Sequence, residues 1–143
     1  MADTKVRTWD SKQINIVLGG IIFTGFAEGS FLNIERNGEG FETSRGADGG
    51  IDRVNKNIFD FTVTVTLKQT SPTNDKLSAQ YNLDLLQNLG VLPILIKDLG
   101  GSTLFASDQS WIQNDPTSEF SESMGTREWI IATGIASNLV GSN

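Results

Sequence analysis

The stretch IFDFTVTVTLK, residues 58–68, constrains the fold more than any other part of the chain. Phe59, Phe61, Val63, Val65 and Leu67 alternate there with Asp60, Thr62, Thr64, Thr66 and Lys68. Side chains that change character at every residue have the period of a β-strand, and eleven such residues predict a long strand with one buried face. The other face is polar but rich in β-branched Thr. That suits a strand turned toward water or a wet lumen rather than toward a second core. A sheet must hold this strand, and a second layer must cover its apolar face.

The neighbouring segments supply sheet. QINIVL (13–18) and IIFTGF (21–26) flank Gly19-Gly20, a pair that accepts the positive φ of a tight hairpin. SFLNIER (30–36), VLPILIKD (91–98), STLFAS (102–107), SWIQND (110–115) and REWIIATGIAS (127–137) read as further strands, the last continuing into the tail. SEFSES (118–123) fits either strand or loop. The period changes only once. SPTNDKLSAQYNLDLLQNLG (71–90) sets Leu77, Tyr81, Leu85 and Leu89 at steps of four, with Ser71 as the expected N-cap, Pro72 at the first helical position and Gly90 as the stop. One amphipathic helix docked by that stripe is predicted. The expected fold is mainly β, a sandwich or barrel-like domain with one flanking helix over about 71–90. The length of 143 residues fits a single domain.

Composition removes most chemistry. The chain has no Cys and no His, which excludes thiolate sites, cysteine nucleophiles and Ser-His triads and takes away the usual general base. Asp115, Glu119 and Glu122 lie close in sequence, but their polar, turn-rich setting gives no reason for a raised pKa, so they read as a solvated acidic loop. Net charge is −6, and no basic stripe offers a phosphate-backbone site. The first ten residues do not resemble a signal peptide, and no apolar run approaches a membrane span. Trp9, Trp111 and Trp129 each lie in or beside an apolar strand pattern, which favours packing over a sugar-binding platform. No catalytic residue, cofactor site or metal site is expected.

GFETSRGADGGIDR (40–53) is the remaining puzzle, with four of the fifteen glycines and charges of both signs. It lacks the Lys-Ser/Thr of a phosphate loop, and Asp48 and Asp52 are only a fragment of a calcium loop. Read as part of a connection over about 37–57, it exceeds the usual length of a passive loop. Protein contact is then the best use for it, with a plain solvated loop as the alternative. An acidic, mostly β domain with one long two-faced strand and no catalytic set suits self-assembly, in which open sheet edges pair between copies.

Four stretches in order carry a family likeness: WDSKQINIVLGGIIFTGFAEGSFLNIER (9–36), GADGG (46–50), TVTVTLKQTSPTNDKLSAQY (62–81) and LPILIKDLGGSTLF (92–105). The chain resembles the tail tube proteins of contractile-tailed phages, whose fold is shared with the ring protein of type VI secretion. The resemblance implies one tail tube domain over 1–143, placed in the virion tail and assembled in the host bacterial cytoplasm. It implies homohexameric rings that stack into a tube. The partners would be sheath, tape measure, baseplate and tail terminator proteins, with DNA passing unbound through the lumen. Under that resemblance Asp60, Thr62, Thr64 and Thr66 become lumen-wall candidates, with 30–36 or 13–18 as the partner strand. Gly40, Phe41, Arg45, Gly46, Ala47, Asp48, Gly49, Asp52 and Arg53 become inter-ring contacts, and Gln80, Asp84 and Gln87 on the helix face outward, toward a sheath. The alternatives are a secretion or tailocin ring protein of the same fold, a sugar- or peptide-binding β module, and a carboxylate-only hydrolase.

Overall fold

The computed structural model describes residues 4–142. The chain begins its sheet with a hairpin of β1 (Ile14–Leu18) and β2 (Ile21–Ile22). Gly19 and Gly20 turn it at φ of 54° and 90°, a pair of left-handed residues that matches the twist of the strands. β2 is only two residues long, so the expected strand over 21–26 is mostly irregular chain. That chain crosses to the far side of the core, where Phe26 bridges Leu67.

One antiparallel sheet runs in the order β2-β1-β7-β8-β9-β6-β3. It comprises β7 (Leu92–Asp98), β8 (Leu104–Asn114), β9 (Thr126–Thr133), β6 (Phe61–Lys68) and β3 (Leu32–Arg36). β10 (Ala136–Leu139) also joins β8. The two segments expected at 102–107 and 110–115 are thus a single strand. On one side of β8, Leu104–Ser107 pair with β10 and Ser110–Asn114 with β9. β9 and β10 are one path interrupted at Gly134, close to the single long strand the sequence suggested. Residues 118–123 form a loop.

Both halves of the sheet send side chains into one core. Ile16, Leu18, Ile94, Ile96 and Phe105 come from one half, and Phe61, Val63, Val65, Leu67, Trp129 and Ile131 from the other. Phe61 meets Phe105 edge-on at 5.2 Å between ring centres. Each such side chain, fully buried, stabilises the fold by about 1.5–3 kcal/mol. The period-two stripe holds from Phe61 to Leu67, but Phe59 lies before the strand and is half exposed.

The helix α1 (Thr73–Gln87) is shorter than expected at both ends. Pro72, not Ser71, occupies the N-cap. Ser71 Oγ instead donates to the Thr24 carbonyl at 2.6 Å and accepts from the Thr73 N–H at 3.3 Å. Asn88, not Gly90, ends the helix, in the left-handed conformation with φ 55°. Gly90 is needed for another reason: a Cβ there would strike the Asp84 side chain. The first two turns are tied down. Leu77 is buried, Tyr81 packs on the core, and the Trp129 indole N–H donates to Asn74 Oδ1 at 2.9 Å. The expected docking stripe then fails, because Leu85 and Leu89 are more than 60% exposed. The helix also approaches the two-residue β2.

Trp129 alone of the three tryptophans is a core residue; Trp9 and Trp111 stand at the surface. The stretch expected as a long loop is instead a two-stranded ribbon. β4 (Phe41–Arg45) and β5 (Ile51–Asn55) pair only with each other. Alternation is weak there and every residue is exposed, so no buried face marks these strands in the sequence.

Candidate functional site

Three surfaces are built in a way the isolated chain does not need. The first is the outer face of β3-β6-β9-β8. Register sets Glu35 beside Thr62 and Asn33 beside Thr64 on one flank of β6. On the other flank Thr64 faces Ile130 and Thr66 faces Glu128. β3 and β9 are therefore the neighbours of the central strand, while 13–18 pairs with β7 in the other half of the sheet. Asn37 links the face to its rim: it donates to Asp60 Oδ2 at 2.9 Å and accepts from the Thr62 hydroxyl at 2.7 Å. The face carries Glu35 and Glu128, with Asp60 at its edge, and Lys68 as its cation.

Both ends of this face are open. β3 has β6 on one side and no other described strand on its far side. β7 ends opposite Ser110, so Trp111–Asn114 of β8 also lack a partner on that side among the described strands. Such rows of unpaired N–H and C=O groups are templates for another chain.

The second surface is the ribbon. Gly46 N–H donates to the Gly50 carbonyl at 2.8 Å, and Gly49 adopts φ 87°. Ala47 and Asp48 form the tip. Asp48 accepts from the Gly50 N–H at 3.0 Å and so shapes its own turn. Cross-strand register puts Phe41, Arg45, Ile51 and Arg53 on one face. Arg53 stacks on Phe41 at 4.5 Å. Glu42, Asp52 and Val54 occupy the other face, where Glu42 pairs with Lys56 at 3.0 Å. Gly40 closes the base, its carbonyl accepting from Lys56 N–H at 3.0 Å. A lone two-stranded ribbon is marginal in water, yet this one exposes Phe41, Ile51 and Val54.

The third surface is the overhanging end of α1, where Leu85, Leu86, Leu89 and Val91 are exposed. Gln80 and Asp84 are half-buried there, Gln80 donating to the Leu89 carbonyl at 3.5 Å, and Gln87 faces solvent. Sequence reasoning named the polar side of this helix end. The exposed leucines were visible in the sequence too, but they were assigned to docking.

Among the described residues no cluster of acidic side chains could hold a metal ion, and no helix is long and apolar enough to cross a membrane.

No family model matches the sequence. Structural protein ORF10 of Pseudomonas phage KPP10 is 35% identical over 136 residues, which span 90% of this chain and 79% of that protein. Among solved structures, the sheath/tube terminator of an extracellular contractile injection system superposes with a TM-score of 0.65 over 96% of this chain and all of its own, at 12% identity. The tube-terminating cap of the anti-feeding prophage gives 0.64 over 96% and 95% of the two chains, at 13% identity. A tail protein of a gene transfer agent particle gives 0.63 over 93% of this chain and 100% of that one, also at 13%. These likenesses establish the mainly β fold with one helix. The ORF10 identity, over most of both chains, shows that the chain belongs to the family of that phage structural protein.

Proposed function

We propose that the chain is the repeating subunit of a phage tail tube. Copies join side by side into hexameric rings, the rings stack, and the tube holds the tape measure protein before it conducts DNA. The observation that carries this reading is the pair of unpaired edges at opposite ends of one polar face, β3 on one side and Trp111–Asn114 on the other. Edge-to-edge joining of identical copies is heterologous, and only a closed ring leaves no edge over. The neighbour solved with six-fold symmetry, the gene transfer agent tail, supports the ring size.

In such a ring the face of β3-β6-β9-β8 lines the channel. Asp60, Thr62, Thr64 and Thr66 then meet its water, with Glu35 and Glu128 beside them. Hydroxyls and carboxylates hydrate the wall without neutralising phosphates, so DNA slides and does not bind. The ribbon, with Gly40, Phe41, Arg45 and Arg53 on or beside it and the Gly46–Ala47–Asp48–Gly49 turn at its tip, docks on the next ring. Contact there buries Phe41 and Ile51, which are exposed in the single chain. The overhang of α1 points outward to the sheath, offering Leu85, Leu86 and Leu89 along with Gln87. Baseplate and terminator proteins meet the two ends of the stack.

Electron microscopy of the purified chain tests this reading. Hollow stacked rings with six-fold end views are expected. Monomers that persist at high concentration and with tail extract as a seed would overturn it, and closed single rings that never stack would indicate a cap.

A further inference from the structure

A cleft of about 870 Å³ opens beside the start of the sheet, lined by Trp9, Lys12, Phe26, Glu28, Phe31 and Lys68 among others. Phe26 and Phe31 form its aromatic floor, with ring centres 4.8 Å apart. Trp9 is more than half exposed at its wall. Lys12 and Lys68 are exposed, and in the lining their ammonium groups outnumber the single carboxylate of Glu28. The cleft is thus aromatic and weakly basic, on an otherwise acidic protein.

The same chain displays the complementary shape elsewhere. The loop between β8 and β9 carries Asp115, Glu119 and Glu122 with no basic residue between Asp115 and Met124. At its centre Phe120 is 80% exposed, touched by the Arg127 guanidinium at 5.5 Å. An exposed Phe with Glu119 before it and Glu122 after it in sequence suits a cleft of aromatics and ammonium groups.

Topology puts the outgoing leg of the loop at the β8 edge and the open side of the cleft at the β3 edge, the two edges that meet between copies. The cleft lies on the β3 side of β6, because Phe26 bridges Leu67 and the Ala27 N–H donates to the Thr66 carbonyl at 3.1 Å. The acidic loop lies on the β8 side of β9. Lys68 pairs with Thr126, so both features sit at the same end of the sheet. The return leg of the loop ends beside Lys68, where the Gly125 N–H donates to Gln69 Oε1 at 2.9 Å, whereas its outgoing leg leaves Asn114 at the open β8 edge, three strand spacings or roughly 14 Å from β3. If β3 of one copy abuts the Trp111–Asn114 edge of the next, the cleft of the first meets the loop of the second at the same height.

We infer that the cleft of Trp9, Lys12, Phe31 and Lys68 receives the Asp115–Met124 loop of the neighbouring copy, with Phe120 as the inserted side chain. The inference rests on the side-by-side ring of the preceding section. It adds a side-chain lock at one end of the shared edge, where backbone pairing alone would let copies slide in register.

Charge reversal and cross-linking test it together. Lys12→Glu with Lys68→Glu, or Glu119→Lys with Glu122→Lys, is expected to raise the concentration needed for rings by about tenfold or more. Combining all four substitutions restores opposite charges and is expected to recover most of that loss. The chain has no cysteine, so Ser30→Cys with Ser118→Cys gives a background-free pair. A short bismaleimide is expected to convert assembled double variant into a ladder ending at the closed ring, with no ladder from either single variant. Wild-type rings, with a double-cysteine variant that assembles but gives no ladder and reversal variants that assemble normally, would overturn this contact alone and leave the cleft to another tail protein. A wild-type chain that forms no rings at all would overturn the tube reading and this contact with it.

Discussion

At the scale of single residues, burial decides which sequence features carry weight. Trp129 is the anchor between helix and sheet: its ring is 1% exposed and its N–H reaches Asn74 Oδ1 at 2.9 Å. Asn74→Ala leaves that buried N–H unpaired and is expected to cost about 1–3 kcal/mol. Trp129→Phe loses the bond and leaves a gap, with a cost of similar size. Chemical denaturation followed by circular dichroism reads both, and midpoints equal to wild type would remove Trp129 from this role. Local sequence does not separate Trp129 from Trp111, since each is followed by an isoleucine. Only register shows that Trp129 faces the same way as Val65, its partner across the ladder.

At the scale of elements, what was legible follows from periodicity. The run Phe61–Lys68 alternates because one face is buried, and its strand was readable from that alone. β4 and β5 bury nothing, so no period betrays them, and their glycines suggested a loop. The helix was readable as a helix, but its stripe overstated the docking. Leu77→Ala, at a fully buried site, is expected to cost about 2–5 kcal/mol. The triple change Leu85→Gln, Leu86→Gln and Leu89→Gln is expected to leave the melting temperature of the isolated chain within about 2 °C, and a fall as large as that of Leu77→Ala would mean that these leucines pack. The ribbon is separable in the same sense. Replacing residues 39–56 with a two-glycine link is expected to leave a folded, soluble domain, because the Lys56–Gly40 contact brings the cut ends together. Such a chain should form no stacked tubes, and normal tubes from it would refute the inter-ring role.

At the scale of the whole molecule, the sequence pointed to an assembling β protein by exclusion: no histidine, no cysteine, no basic stripe. It did not reveal where the edges lie, because an edge is a property of strand order, and order is invisible in a linear pattern. β8 shows why. Its eleven residues serve two half-sheets and leave one short row of backbone groups over. The channel reading makes one further demand. Thr62→Lys, Thr64→Lys and Thr66→Lys together should turn a sliding wall into a binding one, giving tubes that retain DNA at low salt and release it as salt rises. Tubes whose DNA retention is unchanged would place this face away from the channel.

If the ribbon is the inter-ring contact proposed above, it also bears on when a tube grows. Its strands are held by their own ladder, one cation–π contact and one ion pair, with no layer behind them. Segments supported this thinly open and close far more readily than a core strand. A subunit arriving at a finished ring meets a ready-made seat that repays the cost of ordering the ribbon. Two subunits meeting in solution have no such seat, and each bears that cost alone. Polymerisation built this way would have a high threshold for starting and a low one for continuing, so under the proposed inter-ring role the glycine-rich segment would both extend the tube and restrain it from forming before a template exists.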